Sequence, residues 1–555
     1  MNTLASRVAI LLPIGGGALN SPSDQARIGF RQHDNSSRLQ TFGVRPLSTP
    51  KAIAPASLAP VPNTLAPVAV IDIGSNSVRL VVYDAAKRAP VPVFNEKVLC
   101  GLGRGLDETG RLDAEGAKLA QSSVHRFAAL TQAMGVTDIN AFATAAVREA
   151  TDGAAFQAAV EEDCGFPIRV ISGEEEARLS ALGVTAEIPQ AEGVMGDLGG
   201  ASLELAHLRS GENTNQATLK IGPLRRAYGS VKDGCIGEYT DGLDDQLASV
   251  PWLQSARGGS FYAVGGAWRT WARMHMSHAD YPLSIAHHYE ITANSALNFV
   301  AQISALPLDA LANLPSFESS RAEAIPFANL LLKRMIELTG VTSVLFSAYG
   351  VREGLIFDRL PKKLKVEDPL IAACRNLAAM TGRATADGDA LFRWTSPAFA
   401  DETENEARLR RAACLLADLE WSEHPDYRAE HALFRILRYP LIGVAHPGRA
   451  YMALAVASRH AKVDEELIKN ALYGLMDKEE TSRARATGLA MRLAYTFSGG
   501  VMSLLQQTAL KRDSNRLKLE LPAHADVLVG DVVQSRFRSL AQELGCEPQI
   551  SSVPI

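Results

Sequence analysis

At 555 residues the chain is too long for one core, and length alone implies roughly three to four domains of about 150 residues. A hydrophobic fraction of 47%, a charged fraction of 21% and a net charge of -5 fit a globular protein without the whole-molecule field of a nucleic-acid binder. The six cysteines (Cys100, Cys164, Cys235, Cys374, Cys414 and Cys546) form no CxxC pair or Cys/His metal spacing, which reads as free thiols in a reducing cytoplasm, and no apolar run is long enough to span a bilayer.

Residues 1–66 are rich in Pro, Ser, Ala, Asn and Gln and read as a disordered leader. Order is expected from Pro67. A short apolar run at 68–71, a Gly-Ser-Asn-Ser turn and a second run at 78–83 read as strand, turn, strand. Helical spacing follows at 114–134, a strand at 138–142, a helix at 154–162 and a strand at 168–171. The carboxylates of Glu174, Glu175 and Glu176 then open a helix, where the helix dipole favours them. A second strand-turn-strand lies at 194–208, and mixed strands and helices continue to about Asp358. Residues 360–365 read as a linker, and 368–510 are helical in character. Strand-like and helix-like patches between 517 and 544 suggest a small terminal piece.

The best organising fact is an internal repeat. Asp72-Ile73-Gly74-Ser75-Asn76-Ser77-Val78-Arg79-Leu80 and Asp197-Leu198-Gly199-Gly200-Ala201-Ser202-Leu203-Glu204-Leu205 share Asp-φ-Gly-x-x-Ser-φ-x-Leu, where φ is apolar, about 125 residues apart. A glycine directly after the strand-ending Asp lets the backbone turn without a Cβ in the way. Successive N–H groups of such a turn can converge on one anion. Ser75, Asn76, Ser77 and Ser202 add side-chain donors, so two facing turns can grip a phosphoanhydride from both sides. Asp72 and Asp197 end their strands where they can hold Mg²⁺, directly or through water.

These turns resemble those of the actin-like ATPase superfamily. More closely, the chain resembles the exopolyphosphatase / guanosine pentaphosphate phosphohydrolase family. The resemblance is carried by the first turn and by Gly101-Leu102-Gly103-Arg104-Gly105-Leu106. It extends to Ala143-Thr144-Ala145-Ala146-Val147-Arg148-Glu149-Ala150, Ile171-Ser172-Gly173-Glu174-Glu175-Glu176-Ala177-Arg178 and Ser347-Ala348-Tyr349-Gly350-Val351-Arg352-Glu353-Gly354. It implies an α/β fold of two actin-like (ribonuclease H-like) domains at 67–190 and 191–358. An all-α HD-like domain at 366–511 and a small C-terminal α+β piece at 515–555 would follow. It further implies Glu176 as the general base, Asp197 and Glu204 as ligands of Mg²⁺ (or Mn²⁺), and Arg104 and Arg148 as phosphate contacts beside Gly74, Gly199, Gly200 and Ala201.

Two departures bear on the chemistry. Trp268, after Gly265 and Gly266, stands where an adenine pocket needs room, which weighs against an ATP site. The helical stretch holds His424, His431, His446 and His460 but lacks the His-Asp pair of metal-dependent HD proteins, so no metal site is expected there, and His287 and His288 read as structural. The basic residues Arg225-Arg226, Lys362-Lys363, Arg408 with Arg410-Arg411, and Lys511-Arg512 are either ordinary solvated faces or a track for a polyanion. The resemblance implies an exopolyphosphatase that acts processively on inorganic polyphosphate as a cytoplasmic homodimer, with no nucleic-acid or membrane partner. The alternatives are a guanosine pentaphosphate 5'-phosphohydrolase and a non-hydrolytic sensor of a phosphate compound.

Overall fold

The computed structural model describes residues 66–225, 240–318, 324–381 and 387–553. Among the described residues there are three sheets. The first contains β1 (Val68–Ile73), β2 (Ser77–Tyr83), β3 (Pro92–Leu99), β4 (Asp138–Ala143) and β5 (Ile168–Val170), in the order β3-β2-β1-β4-β5. The second contains β6 (Gly193–Leu198), β7 (Leu203–Arg209), β8 (Glu212–Leu219), β9 (Ser260–Val264), β10 (Tyr289–Thr292) and β11 (Ser343–Ser347), in the order β10-β11-β9-β6-β7-β8. β1 is apolar except for Asp72 and almost wholly buried, as a strand covered on both faces must be, whereas the edge strand β3 is buried nowhere along its length.

The repeat in the sequence is therefore a repeat in topology. β1 pairs antiparallel with β2 and parallel with β4, and β6 pairs the same way with β7 and β9. Even the turn bonds coincide: Gly74 N–H donates to the Ser77 carbonyl and Gly199 N–H to the Ser202 carbonyl, each at 3.0 Å. The third strand of each unit, β3 and β8, was not expected from the sequence.

Each sheet is covered partly by a helix from the other half. The Gly173–Glu187 helix follows β5, yet its Ala181 and Val184 pack with Met195, Ala206 and Leu208 of the second sheet. The Val351–Asp358 helix follows β11, yet its Leu355 and Ile356 pack with Val70, Val81, Tyr83 and Phe142 of the first. The two helices cross with almost no gap: a Cβ on Gly354 would lie 1.8 Å from the Leu179 carbonyl oxygen. The chain's passage from one sheet to the next near residue 190 is thus spanned by a helix in each direction.

From Pro369 onward the chain is helical, including His446–His460 and Lys478–Ser498. The expected linker at 360–365 contains a short helix, Lys362–Lys365. The helical span ends earlier than expected, because β12 (Ala509–Asp513) starts inside it and pairs with β13 (Arg516–Pro522), which pairs in turn with β14 (Glu547–Val553). Leu510, Leu517, Leu519 and Phe537 share one core with the helices, so this terminal sheet is a flank of the helical part. No helix among the described residues is long and apolar enough to cross a membrane. Five cysteines are free, and Cys235, Arg226 and residues 1–65, the leader, lie outside the described residues.

Candidate functional site

The two turns face each other across a cleft of about 190 Å³. Asp72, Gly74, Ser75, Asn76, Ser77, Asp197, Gly199, Gly200, Ser202 and Glu176 all line it, so most of the residues read from the sequence come together. The turns touch: a Cβ on Gly200 would lie 3.3 Å from Asn76 Cβ and 2.9 Å from Leu224 Cδ1. Close approach is the demand on this glycine, since neither Gly74 nor Gly200 has positive φ.

Glu176 enters the cleft because of how its helix starts. Ser172 caps the helix, its hydroxyl accepting from Glu175 N–H at 3.2 Å. Of the three acidic residues in the first turn, Glu174 is exposed and Glu175 is held by Arg178 at 2.8 Å, while Glu176 is buried. Arg148 Nη1 donates to Glu176 Oε2 at 3.1 Å and to the Ile171 carbonyl at 2.8 Å. Burial pushes the Glu176 carboxyl up to about 8, against the pull of Arg148 and with a further push from Asp197 and Asp72.

Asp197 and Glu204 are cross-strand partners on β6 and β7, and Asp72 and Arg79 hold the equivalent positions on β1 and β2. Glu204 is buried and held well above the usual carboxylate range, by burial first and then by Glu176 and Asp197. Among the described residues its Oε1 has no hydrogen-bond partner. Burial also raises Asp72 and Asp197, although Ser180 donates to Asp197 Oδ2 at 2.5 Å. Buried carboxylates of which one oxygen has no partner suit a hard divalent cation that keeps part of its water shell. Among the described residues no three of them bring ligand atoms within 4.8 Å of one another.

Other expectations are corrected by the geometry. Trp268 does not border the cleft. It lies in the core of the second half, edge-on to Phe261, and its indole N–H donates to the Ala328 carbonyl at 3.0 Å. The helix Gly266–His278 turns this side chain away, so it leaves room beside Gly265 and Gly266. Ala201 is also buried and outside the cleft wall, with its carbonyl taken by Arg225. Arg104 is exposed on a loop bonded to the first turn, Gly103 N–H donating to the Ser75 carbonyl at 2.8 Å, and does not line the cleft either. Arg148 acts from behind Glu176. Of the basic groups, Arg410 is fully buried against Glu402, Arg408 is tied to Asp368 at 2.5 Å and Arg411 to Asp389 at 2.7 Å. Arg225 is buried too, Lys511 is exposed but paired with Glu520 at 2.6 Å and Arg512 with Asp401 at 3.6 Å, and Lys362 and Lys363 are exposed.

Arg352 was quoted within a motif but given no role. It lines the cleft, nearly buried, with Nη1 3.5 Å from Asp72 Oδ2. Burial works against its charge, but Glu353 and Asp72 hold its pKa above the ordinary arginine range. Glu353 is fixed in turn by the Tyr83 hydroxyl at 2.6 Å. Ser180, Lys97 and Arg269 were likewise not singled out, because nothing in their local sequence marks them before the helices and strands are assembled.

Away from the cleft, Glu187, His287 and His288 meet in a buried cluster. Ala348 N–H donates to His287 Nδ1 at 3.1 Å, which places the ring proton on Nε2, 2.8 Å from Glu187 Oε2. That proton occupies the lone pair a metal would need, so His287 faces Glu187 as a neutral N–H. Burial raises the Glu187 carboxyl, but the two imidazoles outweigh it and hold the group at about 2. In the helical part Glu420, Glu423 and His431 also come within reach of one another, with Glu420 paired to Arg435 at 2.5 Å.

Residues 81–363 match the Ppx/GppA phosphatase family, and residues 370–550 match the exopolyphosphatase C-terminal domain. Exopolyphosphatase 1 of Mycobacterium leprae (strain TN) is 28% identical over 301 residues, covering 52% of this chain and 88% of the relative. Retrograde regulation protein 2 of Saccharomyces cerevisiae is 25% identical over 426 residues, covering 70% of this chain and 72% of the relative. The crystal structure of an exopolyphosphatase from Cytophaga hutchinsonii superposes with a TM-score of 0.48 at 21% identity, covering 52% of this chain and 96% of the other. Residues 81–363 make up just over half of the chain, which belongs to the Ppx/GppA phosphatase family.

Proposed function

We propose that the protein is an exopolyphosphatase, a phosphoanhydride hydrolase that removes the terminal phosphate of inorganic polyphosphate. The observation that carries this reading is Glu176. It is a buried carboxylate at the wall of a cleft built from two anion-gripping turns, with a proton affinity near neutral pH. A base is most effective when its pKa lies near the working pH. Glu176 takes the proton of a water whose oxygen attacks the terminal phosphorus. The bridging P–O bond breaks, and its electrons leave with the shortened chain, which takes up a proton from solvent. Arg148 orients the Glu176 carboxylate, and the turn N–H groups receive the charge that spreads over the equatorial oxygens.

Asp197 and Glu204 would hold a divalent cation, Mg²⁺ or Mn²⁺. When bound it supplies neutralisation of phosphate charge and polarisation of a phosphoryl oxygen. With Arg408, Arg410 and Arg411 engaged internally, a processive polyphosphate track would have to use other exposed cations such as Lys362 and Lys363.

The test is phosphate release from long-chain polyphosphate by purified Glu176→Gln. Turnover should fall by about 100-fold or more, the range for loss of a general base. Undiminished turnover removes Glu176 from the mechanism. Running guanosine pentaphosphate in competition decides between the two substrates, and exclusive cleavage of the nucleotide would replace polyphosphate as the substrate. Binding of polyphosphate without any release would support a sensor.

A further inference from the structure

Arg225 lies in the segment that follows β8 (Glu212–Leu219). That segment runs behind the second turn, with Leu224 N–H donating to the Gly200 carbonyl at 2.9 Å. The Arg225 side chain is only 8% exposed, and each limb of its guanidinium has a different partner. Nε donates to the Ala201 carbonyl inside the second turn. Nη1 meets Asp107 Oδ1 at 2.5 Å, and Nη2 meets Glu149 Oε2 at 2.9 Å. Asp107 and Glu149 belong to the other half of the molecule. Asp107 sits in the short Leu106–Thr109 helix just after Arg104, and Glu149 directly follows Arg148 at the end of the Ala145–Glu149 helix. The guanidinium itself does not line the cleft.

One planar fork thus ties the second turn to the two segments that carry Arg104 and Arg148. We propose that Arg225 is a positioning residue, a latch that closes the two halves on each other and fixes the second turn and the Arg148 segment in one geometry. This rests on the reading of the cleft as a phosphoanhydride-hydrolysing site. A fork suits the task because it meets three acceptors in fixed directions, which a lysine ammonium on a flexible stem cannot do. Without it Lys220, largely exposed and 3.5 Å from Glu149 Oε2, still pairs with Glu149. Loss of the guanidinium removes the bonds that tie the Ala201 carbonyl to Asp107 and Glu149 across the halves, so the halves would loosen where Gly200 now touches Asn76. A buried ion pair of this kind does more for geometry than for net stability.

The experiment compares the parent with Arg225→Gln, Arg225→Lys and the double variant Asp107→Asn/Glu149→Gln. The double variant removes the anchors and keeps Arg225, and it stands in if Arg225→Gln does not fold. Spin labels installed as unnatural amino acids at the exposed Lys118 and the half-buried Lys333 report the distance between the halves in the ligand-free protein. Arg225→Gln and the double variant should lengthen and broaden that distance, with Arg225→Lys in between. In step, kcat for phosphate release from polyphosphate should fall by about 100-fold for Arg225→Gln, the penalty typical of ångström-scale misplacement. A fall in kcat with an unchanged distance distribution overturns the latch, and so does an unchanged kcat. If the parent itself releases no phosphate, the functional reading fails, and the distance measurement alone decides whether Arg225 closes the halves.

Discussion

The carboxyl of Glu176 sits close to Asp72, Asp197 and Glu204, with Arg148 as its directly bonded cation. Such crowding has a measurable signature. In the unfolded chain the group titrates near 4.5, and in the fold at about 8, so the native state binds its proton more tightly. The contribution of this group to stability is therefore full below pH 4.5 and is lost as pH rises through about 8. Glu176→Gln, which cannot ionise, should match the parent near pH 4.5 in the absence of divalent cations and melt above it at pH 9. Calorimetric melts across that range check this, and a Tm difference that does not grow with pH would contradict the assignment. The same argument predicts that activity rises with pH through the Glu176 titration and that this rise moves to lower pH as divalent cation is added. A pH–rate profile at two metal concentrations measures it.

Between elements, the tightest approach is the crossing of the Gly173–Glu187 and Val351–Asp358 helices. Gly354→Ala would place a methyl 1.8 Å from the Leu179 carbonyl oxygen, and backbone cannot give way as a side chain can. Overpacking of this kind costs about 1–3 kcal/mol, and the upper end is expected here. Denaturant unfolding of Gly354→Ala should show it as a lower midpoint. This crossing was not legible in the sequence, because a glycine in a helix reads the same whether it faces solvent or another backbone. The turns were legible, since Asp, Gly, Ser and Leu recur at fixed offsets and their bonding is local. The resemblance carried by the Ile171-to-Arg178 motif pointed to Glu176, which the structure places on the cleft wall, and Arg352 was not legible, because its partner Asp72 is 280 residues away. Trp268 misled for the same reason: its position in the chain placed it beside the cleft, and its helix turned it inward.

At the scale of the molecule, the helical part is joined to the front by His446. Its Nδ1 accepts from the Tyr281 hydroxyl at 2.9 Å and its Nε2 donates to the His287 carbonyl at 3.0 Å. The Nδ1 bond needs a neutral ring, whereas the Nε2 bond survives protonation and pulls the pKa up; burial outweighs that pull and lowers His446 to about 4, helped by Arg449 and the neighbouring histidines. A depressed histidine pKa means that this contribution is present above pH 6.5 and lost as pH falls toward 4. His446→Gln can accept from Tyr281 and donate to His287 without titrating, so its Tm should vary less than the parent's between pH 6.5 and 4. An equal loss in both would show that His446 does not govern the acid sensitivity of this joint.

The exchange of covering helices between the two sheets has a further consequence. The duplicated halves look like two units placed in tandem, yet the first sheet keeps part of its apolar cover in residues 351–358 and the second in residues 173–187. One face of each sheet closes a core within its own half and the other face depends on the borrowed helix, so the halves should behave as complementing fragments. A chain cleaved between β5 and β6 would yield two pieces that template each other's folding. The cleft is then more than a seam between neighbours, because it exists only where the two folding reactions have been completed together.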